Sequence, residues 1–289
     1  MQSLKDISTN TKLCAVIGNP ISHSLSPAIH NAAFKEKGLD FVYVAFCVED
    51  LKNALAGMKA LDNFTGMSVT IPHKIEALKY VDEVSDIDRQ IGSINTIVKE
   101  NNKLIGLSTD GPGAVKALVD AGAEINNKNI LILGSGGAAR AISFSLVIKS
   151  KPSELTILDI NNKLLDELSN DLKNASNIPI TSNILSDNVL KESMEKANII
   201  INCTPVGMHP DINKSVIPKE LFKTGQIIFD IVYTPFETKL LSDAKSCGLK
   251  IIHGVEMFVN QAVLQFERFT GSKAPEKVMK NIVMEHLNL

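Results

Sequence analysis

The stretch NILILGSGGAARAI, residues 129–142, restricts the folds open to this chain more than any other. An uninterrupted apolar run, Ile130–Leu133, leads straight into Gly134-Ser135-Gly136-Gly137-Ala138-Ala139-Arg140 and then into a helical pattern. Glycine lets the chain turn sharply and bring backbone N–H groups close to an anion. The helix that follows turns roughly +0.5 of a charge toward the same place. The next strand-like run ends at Asp159, about 25 residues after Gly134, where an acid accepts hydrogen bonds from ribose hydroxyls. Strand, glycines, helix, strand and terminal acid in that order predict a dinucleotide site, whereas a glycine cluster alone would predict only a tight turn. The third glycine position carries Ala139, small enough for close helix–strand packing.

The pattern continues on both sides. After Asn129–Leu133, strands are expected at Glu154–Leu158, Ile199–Asn202, Ile227–Ile231 and Lys250–Ile252, with helices at Ala138–Ile148, Asn162–Leu172 and Thr238–Ser246. Strands separated by helices predict a doubly wound parallel sheet, a Rossmann-like arrangement. Upstream, Leu13–Ile17, Phe41–Phe46 and Met67–Ile71 read as strands, and Pro27–Lys37 and Asp50–Leu61 as helices. Ser26 before Pro27 reads as an N-cap, and Gly38 as a helix stop. Ile94–Lys99 and Lys103–Ser108 around Glu100-Asn101-Asn102 read as a hairpin. Helical patterns at Val255–Phe269 and Pro275–Leu287 close the chain. The expected fold is therefore α/β with two domains: an N-terminal α/β domain over 1–112 and a Rossmann-like domain over 113–255. The helix around Gly113–Ala121 would join them.

Composition narrows the partners. The 289 residues are 44% hydrophobic, enough for a real core in each domain, and carry a net charge of −2, so no basic surface advertises nucleic acid or an anionic membrane. With no Trp and three Tyr, stacking platforms for single strands are scarce. No apolar run reaches the roughly 18 residues a bilayer demands, and MQSLKDISTNTK has no leader-like apolar stretch. Cys14, Cys47, Cys203 and Cys247 form no CxxC pair, and the six histidines have no metal-ligand spacing. Free thiols in a cytoplasmic protein, with no metal, are the expectation.

Polar clusters of the first half stand where strands end. GNPISHSLSP (18–27) offers the hydroxyls of Ser24 and Ser26 at a helix start, suited to a carboxylate. GMSVTIPHK (66–74) places Thr70 and Lys74 after a strand, and GSINT (92–96) and STDGPG (108–113) border two more. Taken singly, each could be ordinary loop chemistry.

Together these segments, with GSGGAAR, INCTPVGM, DIVYTPFETKLL and HGVEMFVNQAVLQF, resemble the shikimate dehydrogenase family, over nearly the whole chain from Gly18 to about Gly271. The resemblance implies a substrate domain, completed by the last helices (256–289), and a nicotinamide-binding domain. It implies reversible reduction of 3-dehydroshikimate to shikimate by a monomer or homodimer in aromatic amino-acid biosynthesis. It assigns Ser24 and Ser26 to the substrate carboxylate. It assigns Thr70, Asn95, Tyr233, Gln261 and Gln265 to the carboxylate or ring hydroxyls. Lys74 and Asp110 become the pair at the reacting hydroxyl. Gly134, Ser135, Gly136, Gly137 and Ala138 would hold the pyrophosphate, with Thr204, Ile231 and Gly254 at the nicotinamide end.

Ser68, His73 and Ser108 depart from the family's usual Asn, aromatic and Asn. Asp159 is followed by Ile160-Asn161-Asn162 with no Arg; a carboxylate there would repel a 2′-phosphate. NAD or NADP is expected as cofactor, with NAD favoured by Asp159. Ser68 together with the acid Asp159 is more similar to the quinate/shikimate branch, so quinate is a second candidate substrate. A non-catalytic ligand sensor of the same fold is the alternative from another class, and retention of Lys74 and Asp110 argues against it.

Overall fold

The computed structural model describes residues 7–287. Residues 1–6, part of the stretch read above for a leader, and 288–289 lie outside the described residues. The chain divides into two compact units: one built from residues up to Thr109 together with Gln261 onward, the other from Asp110–Asn260.

The first unit opens with β1 (Lys12–Gly18), α1 (Ser26–Glu36), β2 (Phe41–Cys47), α2 (Leu51–Ala60) and β3 (Phe64–Val69). A two-residue β4 (Glu83–Val84), the short α3 (Asp86–Ile91), β5 (Thr96–Glu100) and β6 (Lys103–Leu107) follow. Its sheet runs β2-β1-β3-β5-β6-β4. Parallel pairing holds for β1 with β2 and with β3, while β3/β5 and β5/β6 are antiparallel. The expected hairpin is β5–β6. Asn101 and Asn102 both take positive φ (49° and 61°), the double left-handed turn whose twist matches flanking strands. The core behind this sheet gathers Ile17, Leu55, Met67, Ile94, Ile97 and Leu104. The edge strand β2 is buttressed by Asn31 of α1, whose side chain donates to Tyr43 O and accepts from Tyr43 N (2.8 and 2.9 Å).

One local expectation fails. Ser26 does not cap α1; it is the helix's first residue, preceded by Leu25, which makes no side-chain cap. The hydroxyl that helps the helix start is Ser24, whose Oγ accepts from Ser26 N at 3.3 Å. Gly38 does end the helix region, at φ 62°.

The second unit carries α4 (Asp110–Asp120), β7 (Asn129–Leu133), α5 (Gly137–Lys149), β8 (Glu154–Asp159), α6 (Asn162–Ala175) and β9 (Ile180–Ile184). Then come α7 (Asp187–Lys196), β10 (Ile199–Asn202), β11 (Ile227–Asp230), α8 (Lys239–Ser246) and β12 (Lys250–Ile252). The strand order β12-β11-β10-β7-β8-β9 is parallel throughout. In order of appearance this is 3-2-1-4-5-6, the dinucleotide-binding arrangement, with its switch point between β7 and β10. β9 escapes the sequence pattern because ITSNI, on the sheet edge, has only two strong apolar residues and is largely exposed.

The last helices are α9 (Gly254–Thr270) and α10 (Glu276–His286). The units part between Thr109 and Asp110 and within α9, a few residues from the junctions expected at 112/113 and 255/256. The physical reason is that α4 is one unbroken helix packed on α5. A Cβ on Gly111 would stand 2.2 Å from Ala141 O, so α4 belongs to the second unit from its first residue. No helix among the described residues is long and apolar enough to cross a membrane.

Candidate active site

In the first unit the carboxyl ends of β1 and β3 are laced together. Thr70 N donates to Ile17 O (2.9 Å) and Asn19 N to Ile71 O (3.0 Å). A Cβ on Gly18 would sit 2.4 Å from Thr70 Cγ2, so glycine alone lets the 18–27 segment lie against Thr70. His73 is buried, and its Nε2 lies 2.8 Å from Val48 O; Val48 N in turn donates to Gly18 O. Lys74 O accepts from Ile94 N (2.9 Å) and Asn95 O from Val69 N (2.7 Å). Thr70, Lys74 and Asn95 thus rise from neighbouring, mutually bonded segments. The Lys74 side chain is half-buried.

Behind them lies a buried polar chain. The Tyr43 hydroxyl is 2.6 Å from Ser68 Oγ, which donates to Gln265 Oε1 at 2.8 Å. Gln265 Nε2 donates to Thr96 Oγ1 (2.9 Å) and Asn95 O (3.2 Å). Asn95 Oδ1 accepts from Thr109 N (2.8 Å), which orients the amide, and Asn95 Nδ2 donates to Thr109 Oγ1 and, at 3.4 Å, to Gln261 Oε1. Gln261 and Gln265 share one face of α9, as their spacing predicted, and both are buried. The role expected of Gln265 needs revision: at 2% exposure, its oxygen and nitrogen are engaged by Ser68, Asn95 and Thr96. Its place is behind Asn95 and Thr96. Tyr43 gives no local signal of such a role in the sequence, since it stands in an apolar strand.

His30 of α1 is wholly buried, stacked on the Tyr43 ring at 4.4 Å and 3°. The Gln265 amide lies close, without hydrogen-bond geometry to either ring nitrogen. Burial pushes its pKa down to about 3, so the imidazole is neutral.

In the second unit Gly134 takes φ 105°, donates to Leu158 O (2.7 Å), and has room for a Cβ only 3.1 Å from Cys203 O. Gly136 precedes α5, with nothing within 4 Å of where its Cβ would be. That bare turn at a helix start is a cradle a pyrophosphate fits. Asp159 closes it: Oδ2 accepts from Ser135 N and from Ser135 Oγ (2.6 Å), while Oδ1 accepts from Asn161 N (2.9 Å). Arg140, the one cation of the glycine segment, pairs with Asp171 at 2.6 Å.

Asp110 is the first residue of α4 and is buried. Tyr233 stacks on Phe258 (4.5 Å), and burial raises its hydroxyl's pKa. Gly254 begins α9, where any Cβ would lie 2.5 Å from Val232 O and 2.6 Å from Ile231 O. Thr204 follows β10, its backbone N and hydroxyl both donating to Asn202 Oδ1 (3.0 and 2.7 Å). No group of three His, Cys, Asp or Glu able to hold a metal occurs among the described residues, and the four cysteines are free thiols.

Comparison with known proteins places this geometry. Residues 16–97 match the shikimate dehydrogenase substrate binding domain, and residues 254–284 the shikimate 5'-dehydrogenase C-terminal domain. The shikimate dehydrogenase (NADP(+)) of Methanococcus vannielii is 42% identical over 97% of this chain and 99% of its own.

The chain belongs to the shikimate dehydrogenase family.

Solved structures agree. A shikimate dehydrogenase crystallised with NADP+ superposes with a TM-score of 0.90 at 37% identity, covering 98% of each chain. The shikimate 5-dehydrogenase of Listeria monocytogenes, in complex with shikimate and NAD, gives 0.91 at 32% identity, over 98% of this chain and all of that one. The family accounts for both units, the mixed sheet that bears Thr70, Lys74 and Asn95 and the parallel sheet that bears the glycine turn.

Proposed function

We propose that this chain interconverts 3-dehydroshikimate and shikimate with a nicotinamide dinucleotide. The observation that carries the reading is the convergence of Thr70, Lys74 and Asn95 on bonded strand ends, in a chain whose full-length relatives bear that name. When bound, the reduced nicotinamide supplies a hydride to the carbonyl carbon. The Lys74 ammonium gives its proton to the carbonyl oxygen as that oxygen gains charge, and in the oxidative direction the neutral amine takes the alcohol proton. Asp110 is the carboxylate assigned to orient that ammonium and share its proton. Ser24 and Ser26 hold the substrate carboxylate. Thr70, Asn95, Tyr233 and Gln261 hold carboxylate or ring hydroxyls, with Gln265 fixing Asn95 and Thr96 from behind.

The turn Gly134–Ala138 takes the pyrophosphate, and Thr204, Ile231 and Gly254 flank the nicotinamide end. Asp159 accepts from the adenosine ribose in our reading, which makes NAD the preferred dinucleotide, although the Methanococcus relative is named for NADP(+). The carboxylate is already fixed at the end of β8 and no Arg follows it, which supports that preference. The reading calls for a cytoplasmic enzyme, monomer or homodimer, with no nucleic-acid or membrane partner. A two-by-two assay at 340 nm, shikimate or quinate against NAD or NADP, tests it. Turnover of shikimate is expected, with the higher kcat/KM for NAD. Binding without turnover of either acid would favour a ligand sensor, and a kcat/KM for NADP well above that for NAD would refute the role of Asp159.

A further inference from the structure

The second unit holds one fully buried carboxylate that neither the glycine turn nor the proposed proton transfer uses. Asp230, the last residue of β11, is 0% exposed. Three uncharged hydrogen-bond donors meet it. Thr238 Oγ1 donates to Oδ2 at 2.6 Å, while Val232 N (3.1 Å) and Asn202 Nδ2 (3.0 Å) donate to Oδ1. Each donor opens a different segment. Val232 lies between Ile231 and Tyr233, and its carbonyl meets the start of α9 at Gly254. Asn202 ends β10 and binds Thr204 through its other amide atom. Thr238 caps α8, accepting from Leu241 N. Three donors on two oxygens suit an acceptor-only group, and an uncharged amide could not accept from all of them in the same pose.

We propose that Asp230 is a positioning residue of the dehydrogenase reaction: by binding Val232 N, Asn202 and Thr238 together, its carboxylate fixes the segments that carry Ile231, Tyr233 and Thr204. The proposal rests on the functional reading above, which places Ile231 and Thr204 at the nicotinamide end and Tyr233 on the substrate. A carboxyl group kept only for packing would be replaceable by an apolar side chain, and burying it without a cation is costly. Burial raises its pKa to about 6, so the carboxylate is still the main form at neutral pH but by a narrower margin than in water. The strand ends of β10 and β11 lie at the carboxyl edge of the sheet, where ligands bind in open α/β folds.

The test uses the full chain and four variants: Asp230→Ala, Asp230→Asn, Thr238→Val and the double variant Asp230→Asn/Thr238→Val. Calorimetric Kd values for NAD and NADP are measured beside kcat and both KM values, with thermal melts to count folded protein. Asp230→Ala is expected to weaken dinucleotide binding roughly tenfold, with the Kd of shikimate in the absence of dinucleotide shifted less, through Tyr233. Asp230→Asn and Thr238→Val each break the donation from Thr238 Oγ1 to Oδ2, and Thr238→Val uncaps α8 as well. Each should raise the dinucleotide KM by roughly threefold, and the double variant should do no worse than either. A purely structural role would instead lower the folded fraction and leave the constants of the folded remainder alone. Should Asp230→Ala fail to fold, the Asn/Val cycle decides. Dinucleotide Kd and KM within twofold of the parent in every folded variant overturn the proposal. A parent chain that binds dinucleotide but never turns over shikimate would refute the functional reading, while the Kd series still decides the role of Asp230.

Discussion

Acid should act on the two units in opposite directions, and His30 makes the first half of that statement quantitative. In the folded chain His30 takes a proton only near pH 3, against 6.5 when exposed, because charging it means burying a cation among Tyr43, Phe34, Phe266 and Phe269. The unfolded chain therefore binds the proton first. Stability from this group is complete above pH 6.5 and is lost as the pH falls toward 3. Acidifying from about pH 7 to about pH 4.5 crosses roughly two units of that window, a loss of about 3 kcal/mol in the first unit. Asp230 has the reverse sign. Its folded pKa of about 6 exceeds the ordinary 3.8, so the folded state binds the proton first and stability rises as the pH falls through 6. Over the same change the second unit gains about 2 kcal/mol from it. Hydrogen exchange of the full chain, read on peptides from β1 and β3 and separately from β10 and β11, resolves the two. Other carboxylates titrate in this range, so the measured quantity is the difference from His30→Phe, which keeps the ring stack and deletes the titration. Protection in β1 and β3 should fall less with acid in His30→Phe than in the parent. Identical pH slopes for the two proteins would refute the assignment of a buried neutral imidazole.

Lys74→Met should lower kcat by roughly 10²- to 10⁴-fold with the shikimate KM moved far less; a change confined to KM would make Lys74 a binding group only. Gly134→Ala forces a side chain into φ 105° and against Cys203 O, so calorimetry should show dinucleotide affinity down more than about tenfold with shikimate binding retained. Gln265→Leu removes the hydrogen bonds that Gln265 makes to Ser68, Asn95 and Thr96 inside the first unit and should cost about 2 kcal/mol in urea unfolding. An unchanged midpoint would show that the chain of buried side chains contributes nothing to stability.

The nucleotide half was legible because its determinants are local. An apolar strand, a glycine that alone tolerates φ 105°, a helix start and an acid at the next strand's end are all consecutive in the chain. The β5–β6 hairpin was legible for the same reason, two Asn residues that accept positive φ. The hydrogen bond from Ser26 N to Ser24 Oγ was hidden, since Ser24 and Ser26 present the same hydroxyl two residues apart and only the backbone path chooses between them. β9 was hidden because an edge strand needs no apolar run.

Family likeness drew Gln265 toward the substrate, yet its amide is taken by Ser68, Asn95 and Thr96, which come from strands more than 160 residues away in sequence. Asp230 shows the same limit. As letters, IIFD at the end of a strand reads like ILD at Asp159. One carboxylate closes the glycine turn, and the other is sealed among Asn202, Val232 and Thr238. Backbone conformation and hydrophobic period are properties of neighbours along the chain, so the sequence determined the elements and the glycine turn. Burial and hydrogen-bond saturation depend on which segments meet in space, so the tertiary structure alone decided which polar side chains face a ligand and which hold the others in place.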